Sequence, residues 1–340
     1  DEPLMHDVFE TIHGPIISPH VPGSEKFEYA LALKWSAHDS GGMISSITRM
    51  NCAGNLEAFR KAAFQWPDPA INLVCADRNG KIGYILAGKI PIRPQGHGNG
   101  PFPGWTGEHD WTGYLHNNEK PFLLNPVNGF IATAYNRVVG DDYPYYIAND
   151  YMPGYRLERI QEVLAQKPSV SKDDFRTLQG DFKSFEAARF IDALQKMEGR
   201  SPEAKDLLKR LRSWDLILGP DSPPGAIYSV LFYRLLENTF EDELGDLKER
   251  FFGVGVTPLN PMNMFSTHCR VILMNLMNNP NSTWFDDVTT PEVEGLNHML
   301  EKSLNETDAF LKKTLGTDPS NWSWGRLHRI EFQHTLGQVK

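Results

Sequence analysis

Residues able to perform chemistry are scattered along this chain and do not form a self-contained catalytic motif. Nucleophilic catalysis needs a Ser, Cys or Thr beside a base, and no GxSxG nucleophile elbow occurs. The histidines include no HExxH motif and no i, i+4 pair, which disfavours a transition-metal site. The pairs Asp141-Asp142 and Asp173-Asp174 could serve as general acids or bases, but their turn and helix-start contexts favour solvated or capping carboxylates.

Two further segments deserve comparison with known site types. The stretch Gly96-His-Gly-Asn-Gly100 has the glycines of a phosphate-binding loop but not its strand-to-helix context or its Lys-Ser/Thr ending, so we predict an ordinary loop. The most distinctive run is Gly129-Phe-Ile-Ala-Thr-Ala-Tyr-Asn136-Arg137, which is followed by Tyr143-Pro144 and Tyr155-Arg156.

The elements that must position these residues change in type midway along the chain. The first part, residues 1–150, is β-rich, and Asn79-Gly80 predicts a tight hairpin turn in an antiparallel sheet. A helix is predicted over 55–65, capped by Asn55. The predicted strands are 7–17, 27–35, 71–76, 81–87 and 129–134.

The rest of the chain is divided by its Pro- and Gly-rich segments and by apolar residues at helical spacing. Residues 91–128 are dense in Pro, Gly and Trp and predict a long ordered loop, either a flap held by buried Trp rings or a substrate-contacting segment. Residues 151–340 are predicted to be mainly helical and to return to the core at the C-terminus. Helices are predicted over 156–166, 171–179, 186–197, 202–214, 226–238 and 292–311, with Ser171 and Asp174 as a capping box.

Composition excludes several classes of function. The formal charge is −9 with scattered Lys and Arg, so no nucleic-acid partner is expected. No apolar run approaches the roughly 20 residues of a membrane span. Cys52, Cys75 and Cys269 lack CxxC spacing and are interpreted as small buried residues.

Short motifs occur in a fixed order over nearly the whole chain. They are Thr11-Ile-His13-Gly14-Pro15, Ile71-Asn72-x-x-x-Ala76-Asp77-x-x-Gly80-x-Ile82-Gly83-Tyr84, Gly88-x-Ile-Pro91-x-Arg93, Pro103-Gly104, Asp110-Trp111-x-Gly113, Asn125-Pro126, Gly129-x-Ile-Ala132, Tyr143-Pro144, Tyr155-Arg156-x-x-Arg159-Ile160, Gln179-x-Asp181-x-x-Ser184, Trp214-Asp215 and Trp322-x-Trp324-Gly325-x-x-His328. The set resembles the penicillin acylase (penicillin amidase) family of N-terminal-nucleophile hydrolases.

This resemblance implies an α+β fold, the αββα sandwich of two antiparallel sheets between helices, with a large helical elaboration in the second half. In the family the nucleophile is the N-terminal Ser of a β-chain, freed by autocatalytic processing, and its own α-amino group is the base. Asp1 cannot take this role. We therefore expect the later part of a β-chain, whose partners are the α-chain and the N-terminal part of the β-chain of the same precursor.

The resemblance also assigns site residues. The family's oxyanion donor is an Asn in a double-Asn motif that here reads Tyr135-Asn136. Counting from Gly129 places Tyr135 in that position, whereas counting back from Tyr143-Pro144 with a gap places Asn136 there, and we favour Asn136 as donor. Arg156 matches the arginine that organises the nucleophile and the oxyanion donor; its other interpretation is a salt-bridged arginine at a helix start.

Ile47 and Ile71 fall where the family lines its acyl pocket, although residue type alone equally predicts ordinary core. A structural calcium, held mainly by residues outside this chain, is a further implication. Asn99 and Asp150 are candidates only, and no metal ligand is assigned. No cofactor is required for the chemistry, and a periplasmic or secreted location is implied.

Together these expectations describe a segment of an amidohydrolase. It would cleave a linear carbon–nitrogen amide bond in a small N-acyl substrate of the penicillin or N-acyl homoserine lactone type, through an acyl-enzyme. The implied setting is antibiotic biosynthesis or resistance. The alternative is a non-catalytic relative that keeps the scaffold as a ligand-binding module, and Tyr135 in the oxyanion position is the feature that favours it.

Overall fold

The computed structural model describes residues 7–39, 41–195, 197–257 and 260–330, and the chain divides into two compact units, Asp1–Gly154 and Tyr155–Lys340. The first unit combines short strands with two helices. Its strands are β1 (Glu10–Thr11), β2 (Gly14–Pro15), β3 (Ile71–Ala76), β4 (Ile82–Ala87), β5 (Pro91–Ile92), β6 (Gly113–Tyr114) and β7 (Phe122–Leu124), and its helices are α1 (Met43–Asn51) and α2 (Leu56–Ala63).

The main sheet of this unit is antiparallel, with strand order β3-β4-β7. The predicted hairpin joins β3 to β4, and Gly80 supplies the positive φ, 79°, that the turn needs. The carboxylate of Asp77 accepts the backbone N–H groups of Asn79 and Lys81 at 2.8 and 3.1 Å. The Asp77 carboxylate therefore stabilises the turn together with the backbone hydrogen bonds between β3 and β4.

Each face of β4 is covered by a different cluster. One face packs on α2 through Ile85, Ala87 and Ala63, and the predicted cap is present because Asn55 accepts the Ala58 N–H at 2.9 Å. On the other face, the buried residues Tyr84, Leu86, Ile90 and Leu115 form a second cluster, joined by the partly buried Ile131, Val138, Tyr145 and Ile147. This second cluster holds the segment that follows Gly129 against the sheet.

Two predicted strands are absent from the described structure, and the single strand predicted over 7–17 is wrong, because β1 and β2 pair with each other as a hairpin in which Gly14 has a φ of 116°. Residues 27–35 contain only an isolated bridge from Ala32 to Ile16, and residues 129–134 form no ladder. Both segments have strand-like sequences, but a strand also needs a neighbour in register to pair its N–H and C=O groups. Helix α1 was not predicted from the sequence.

The long loop is confirmed in its outline, since only β5, β6 and β7 interrupt residues 91–128. The interpretation that buried Trp rings hold it as a flap is wrong for Trp105, which is 67% exposed. The Gly96–Gly100 stretch is a loop, as predicted, and no helix follows it.

The second unit is mainly helical, as predicted. Its helices are α3 (Tyr155–Ala165), α4 (Lys172–Gln179), α5 (Phe185–Ala193), α6 (Pro202–Arg212), α7 (Pro223–Leu244), α8 (Lys248–Phe251), α9 (Phe265–Leu276), α10 (Leu296–Leu315) and α11 (Trp324–Leu327), with the strands β8 (Val254–Thr257) and β9 (Asn260–Met262). Helix α9 and the β8–β9 pair were not predicted. None of the described helices is long and apolar enough to cross a membrane.

The core of the second unit is built around α7, which is buried along most of its length. It packs against α10 and α6, and Leu231, Leu235, Leu300 and Leu311 are fully enclosed in one cluster. Cys269 is buried there, but Cys52 is exposed, so the interpretation of all three cysteines as buried residues is wrong for Cys52. That residue ends α1 on the surface.

Candidate active site

One polar cluster of the first unit joins β3 and β4 to the segment that carries Tyr135 and Asn136. The Tyr84 hydroxyl donates to Asn72 Oδ1 at 2.6 Å, and Asn72 Nδ2 donates to Thr133 Oγ1 at 3.4 Å. Strand alternation positions these side chains, because Asn72 and Tyr84 point to the same face of the sheet. A hydrogen bond therefore joins the face of the sheet that bears Asn72 and Tyr84 directly to Thr133.

Tyr135 lies two residues further on in a left-handed backbone conformation, with φ of 60°. Its side chain is 71% exposed, and its carbonyl accepts the Met152 N–H at 2.9 Å. Asn adopts this conformation far more readily than an aromatic residue does. The main chain at residue 135 thus has a conformation that Asn adopts with less strain than Tyr.

Asn136 is half-buried and held by its neighbours. Its Oδ1 accepts the Ala134 N–H at 2.9 Å, and its Nδ2 donates to the Arg137 carbonyl at 2.7 Å. A primary amide carries two N–H donors, so one donor remains beyond this bond. The side chain is fixed in orientation and can supply one N–H to a ligand.

Two tyrosine hydroxyls lie within electrostatic range of one another here. Desolvation, followed by the proximity of Tyr151, raises the pKa of Tyr84. Desolvation also raises the pKa of Tyr151, against opposing effects of Arg137 and the Ala148 backbone. The Tyr151 hydroxyl is buried without a hydrogen-bond partner among the described residues. Both groups are neutral donors at neutral pH, and the predicted site did not include either of them.

The charged candidates for the site are Asp141 and Arg156. Arg137 pairs with Asp141 at 2.5 Å, and the Asp141 side chain is 93% exposed, which confirms that this carboxylate is solvated. Arg156 is the second residue of α3, in the second unit, and its side chain is exposed. Its predicted role as organiser of the nucleophile stays a prediction.

The two predicted pocket residues differ in their surroundings. Ile71 begins β3 and packs against the cluster formed by Ala63, Ile85 and Ala87, as an ordinary core residue would. Ile47 lies on α1 and is 39% exposed. Exposure leaves the Ile47 side chain accessible to an apolar group, whereas Ile71 is already packed on one side.

The cluster can donate hydrogen bonds to an oxygen atom, but it holds no nucleophile beside a base. The described parts of the chain contain no group of three or more His, Cys, Asp or Glu side chains suited to a metal ion. Asn99 and Asp150, named for a calcium site, lie in loop segments, and calcium binding stays a prediction. Strand alternation could have found Tyr84 and Asn72 from the sequence; nothing in the local pattern marks the burial of Tyr151.

Comparison with known proteins gives a consistent result. The sequence model for penicillin amidase matches residues 1–340. The chain is 28% identical over 349 residues to an acyl-homoserine lactone acylase QuiP of Pseudomonas fluorescens (strain Pf0-1), covering 99% of this chain and 42% of that protein. It is 34% identical over 233 residues to the penicillin acylase 2 proenzyme of Pseudomonas sp. (strain SE83), covering 68% and 29%.

Among solved structures, a thermostable penicillin G acylase from Alcaligenes faecalis matches with a TM-score of 0.65 at 20% sequence identity. The match covers 93% of this chain and 59% of the solved one, and it confirms the expected α+β, N-terminal-nucleophile-hydrolase fold. The chain thus spans less than half the length of the curated relatives described above.

Proposed function

Because the chain belongs to the penicillin amidase family, we propose that it forms part of an amide hydrolase that cleaves a linear carbon–nitrogen bond. The observation that carries this proposal is the family match over the full length of the chain. The substrate class would be small N-acyl compounds, penicillins or N-acyl homoserine lactones. The names of the relatives, an acyl-homoserine lactone acylase and a penicillin acylase, support both choices.

The nucleophile in this proposal is a Ser at the N-terminus of a mature β-chain, outside the sequence described here. Its hydroxyl attacks the substrate carbonyl while its α-amino group accepts the proton. The tetrahedral intermediate then expels the amine, which takes up that proton, and water hydrolyses the acyl-enzyme. Autocatalytic processing of a precursor follows from this chemistry, and the relative named as a proenzyme supports it.

Within this scheme Asn136 donates its remaining N–H to the oxyanion. The observations that support it are the fixed amide orientation and the tie of the segment to β3 through Thr133. Donors already aligned to the developing charge cost no reorganisation during reaction. Arg156 would organise the nucleophile and Ile47 would contact the acyl group, with Ile71 forming the base of that pocket.

The same proposal includes an α-chain partner, a periplasmic or secreted location, a role in antibiotic biosynthesis or resistance, and a structural calcium bound mainly by residues outside this chain. No cofactor takes part in the chemistry. Each of these properties comes from the family resemblance alone.

The experiment is intact-mass measurement and N-terminal sequencing of every chain in the native protein, combined with assays of penicillin and N-acyl homoserine lactone hydrolysis. A chain that begins with Ser, together with turnover that an acylating inhibitor abolishes, supports the proposal. A native protein with no Ser-initiated chain and no turnover of either substrate would leave a ligand-binding scaffold and contradict it.

A further inference from the structure

Arg93 lies immediately after β5 and leads into the glycine-rich loop. Its side chain is half-buried, and its guanidinium carbon lies 5.2 Å from the centre of the Trp111 ring and 6.0 Å from that of Tyr146. The His97 ring stacks on the Tyr146 ring, with 4.3 Å between the two ring centres. The aromatic rings therefore shield the cation partly from water.

No acid compensates this charge in the part of the chain that the structure describes. Desolvation lowers the pKa of Arg93, and the only opposing influence comes from Tyr146. Asp110, next to Trp111, pairs with His13 at 3.5 Å, and Asp39 accepts the Tyr114 hydroxyl at 2.6 Å. Asp150 acts on Tyr146 but is not among the groups that shift the pKa of Arg93. A desolvated, unpaired cation is costly, which calls for an anionic partner.

One donor of the Arg93 guanidinium also has no acceptor among the described residues. This donor is the Nε atom, which is buried. The backbone of Gly98 lies against the guanidinium, since a Cβ built at that position would be 3.1 Å from Nε and 3.2 Å from Nη2. Gly98 has φ of 72°. The loop therefore encloses one edge of the guanidinium and restricts where a ligand can approach.

A second cation lies beside the same ring. The Lys34 ammonium is 5.7 Å from the centre of the Trp111 ring, but its charge also acts on the carboxylate of Asp39. The site therefore depends on Arg93 itself. Planar aromatic neighbours suit a flat anion, and a guanidinium fork matches the two oxygens of a carboxylate.

We propose that Arg93, flanked by Trp111 and Tyr146, binds a carboxylate. The carboxylate comes either from a small molecule or from an acidic side chain of the remaining precursor, and the chemistry at Arg93 is the same in both cases. This inference goes beyond the proposed amide hydrolysis; its free-ligand form is independent of that proposal, and its second form rests on the precursor that the proposal includes. It concerns an anion site for which the catalytic scheme has no need.

The first arm of the test measures ligand binding to the complete native protein. Thermal unfolding is followed with sodium acetate, succinate or phenylacetate, and with sodium chloride at the same ionic strength. If the site takes a free carboxylate, these salts raise Tm above the chloride control. Arg93→Met should weaken that binding by at least roughly tenfold, because hydrogen bonds to charged groups are lost.

The second arm uses the same variants without ligand. If an acidic side chain of the precursor occupies the site, Arg93→Met leaves that acid unpaired and lowers Tm, with Arg93→Lys intermediate because it keeps the charge but not the fork. If the site is open to a free ligand, Arg93→Met removes an uncompensated cation and leaves Tm equal or raised. The matched control is Arg78→Gln, an exposed arginine of the β3–β4 turn.

The proposal is overturned if no carboxylate raises Tm of the wild-type protein and Arg93→Met does not lower it. It is also overturned if carboxylates stabilise the Arg93→Met protein as much as the wild type, because binding would then occur elsewhere. If Arg93→Met does not fold, Arg93→Lys is used in its place. Carboxylates should then raise the Tm of Arg93→Lys less than that of the wild-type protein.

Discussion

At Tyr135 the backbone has a φ of 60°, a value that Asn adopts with little strain and aromatic residues rarely adopt. The next residue, Asn136, carries the amide but has one N–H committed to the Arg137 carbonyl. The left-handed backbone that suits Asn and the Asn side chain itself are thus on adjacent residues. Substitutions at each position separate their contributions.

Asn136→Ala in the complete enzyme should lower kcat by roughly 10²- to 10³-fold with KM little changed, because a donor aimed at the oxyanion acts only in the transition state. The measurement is steady-state hydrolysis of an N-acyl substrate. Asn136→Asp is the matched variant, since it keeps the acceptor for the Ala134 N–H but lacks the amide donor. Wild-type kcat in Asn136→Asp would show that Asn136 serves only the local backbone.

Tyr135→Phe tests the competing donor. If Asn136 holds the oxyanion role, removing the phenolic hydroxyl should change kcat by less than about threefold, well below the loss expected of an oxyanion donor. The same assay applies, with circular dichroism to verify folding. A loss of 10²-fold or more, on the order expected for such a donor, would transfer the role to Tyr135.

At the scale of single elements, the capping box at the start of α4 is complete. Ser171 Oγ accepts the Asp174 N–H, and Asp174 accepts the Ser171 N–H at 2.8 Å. Ser171→Ala should lower the free energy of unfolding by about 1 kcal/mol, the usual effect of losing an N-cap. Urea unfolding of the complete protein measures it. Ser171→Thr, which keeps the hydroxyl, should restore most of the loss.

The same box predicts a pH dependence. Hydrogen bonds from Lys167 and from Ser171 lower the pKa of Asp174 below its ordinary value. A carboxylate whose pKa is lower in the folded protein than in the unfolded chain stabilises the fold at pH values above the unfolded-state pKa, about 3.9. This stabilisation is lost as the pH falls below that value. The stability difference between wild type and Asp174→Asn should therefore be constant near neutrality and shrink below about pH 4. A difference that grows on acidification would contradict this assignment.

Local signals account for the elements that the sequence predicted well. Caps at Asn55 and Ser171 depend on residues three positions apart, and the β3–β4 turn depends on Gly80, so both are visible in the sequence. The strands predicted over 27–35 and 129–134 are absent because strand pairing depends on residues that are distant in the sequence. Helix α1 was missed although Met43, Ile47 and Met50 have helical spacing, because Gly42 at its start provides no side-chain cap to mark where it begins.

At the scale of the whole molecule, one ion pair links three helices of the second unit. Arg270 of α9 donates from Nε to Glu186 of α5 at 3.0 Å and from a second nitrogen to the same carboxylate, which also accepts the hydroxyl of Tyr228 from α7. Although desolvation opposes it, the contact with Glu186 raises the pKa of Arg270. Arg270 therefore stays charged across the ordinary pH range.

Arg270→Met should lower the free energy of unfolding by roughly 1–3 kcal/mol, because hydrogen bonds to a charged group are lost and Glu186 stays largely buried. Chemical denaturation of the complete protein measures this change. The double variant Glu186→Gln with Arg270→Met should be less destabilised than Arg270→Met alone, since no charge is left unpaired. Equal losses in the two variants would indicate a packing effect instead.

The candidate site was predictable only in part. The resemblance located Tyr135 and Asn136, and the structure adds the contacts that hold them. The burial of the Tyr151 hydroxyl depends on packing between loops that no local pattern encodes. Arg93 is part of the motif Gly88-x-Ile-Pro91-x-Arg93, but its lack of a counter-charge among the described residues is a property of the folded first unit.

The left-handed backbone at Tyr135 also bears on how this position can change. The codons for Tyr and Asn differ by one base, and the main chain already has the shape that Asn prefers. A single nucleotide substitution would therefore recreate a double-Asn sequence without moving the chain. In a mutational library selected for amide hydrolysis, Tyr135→Asn is the step that the backbone makes most accessible.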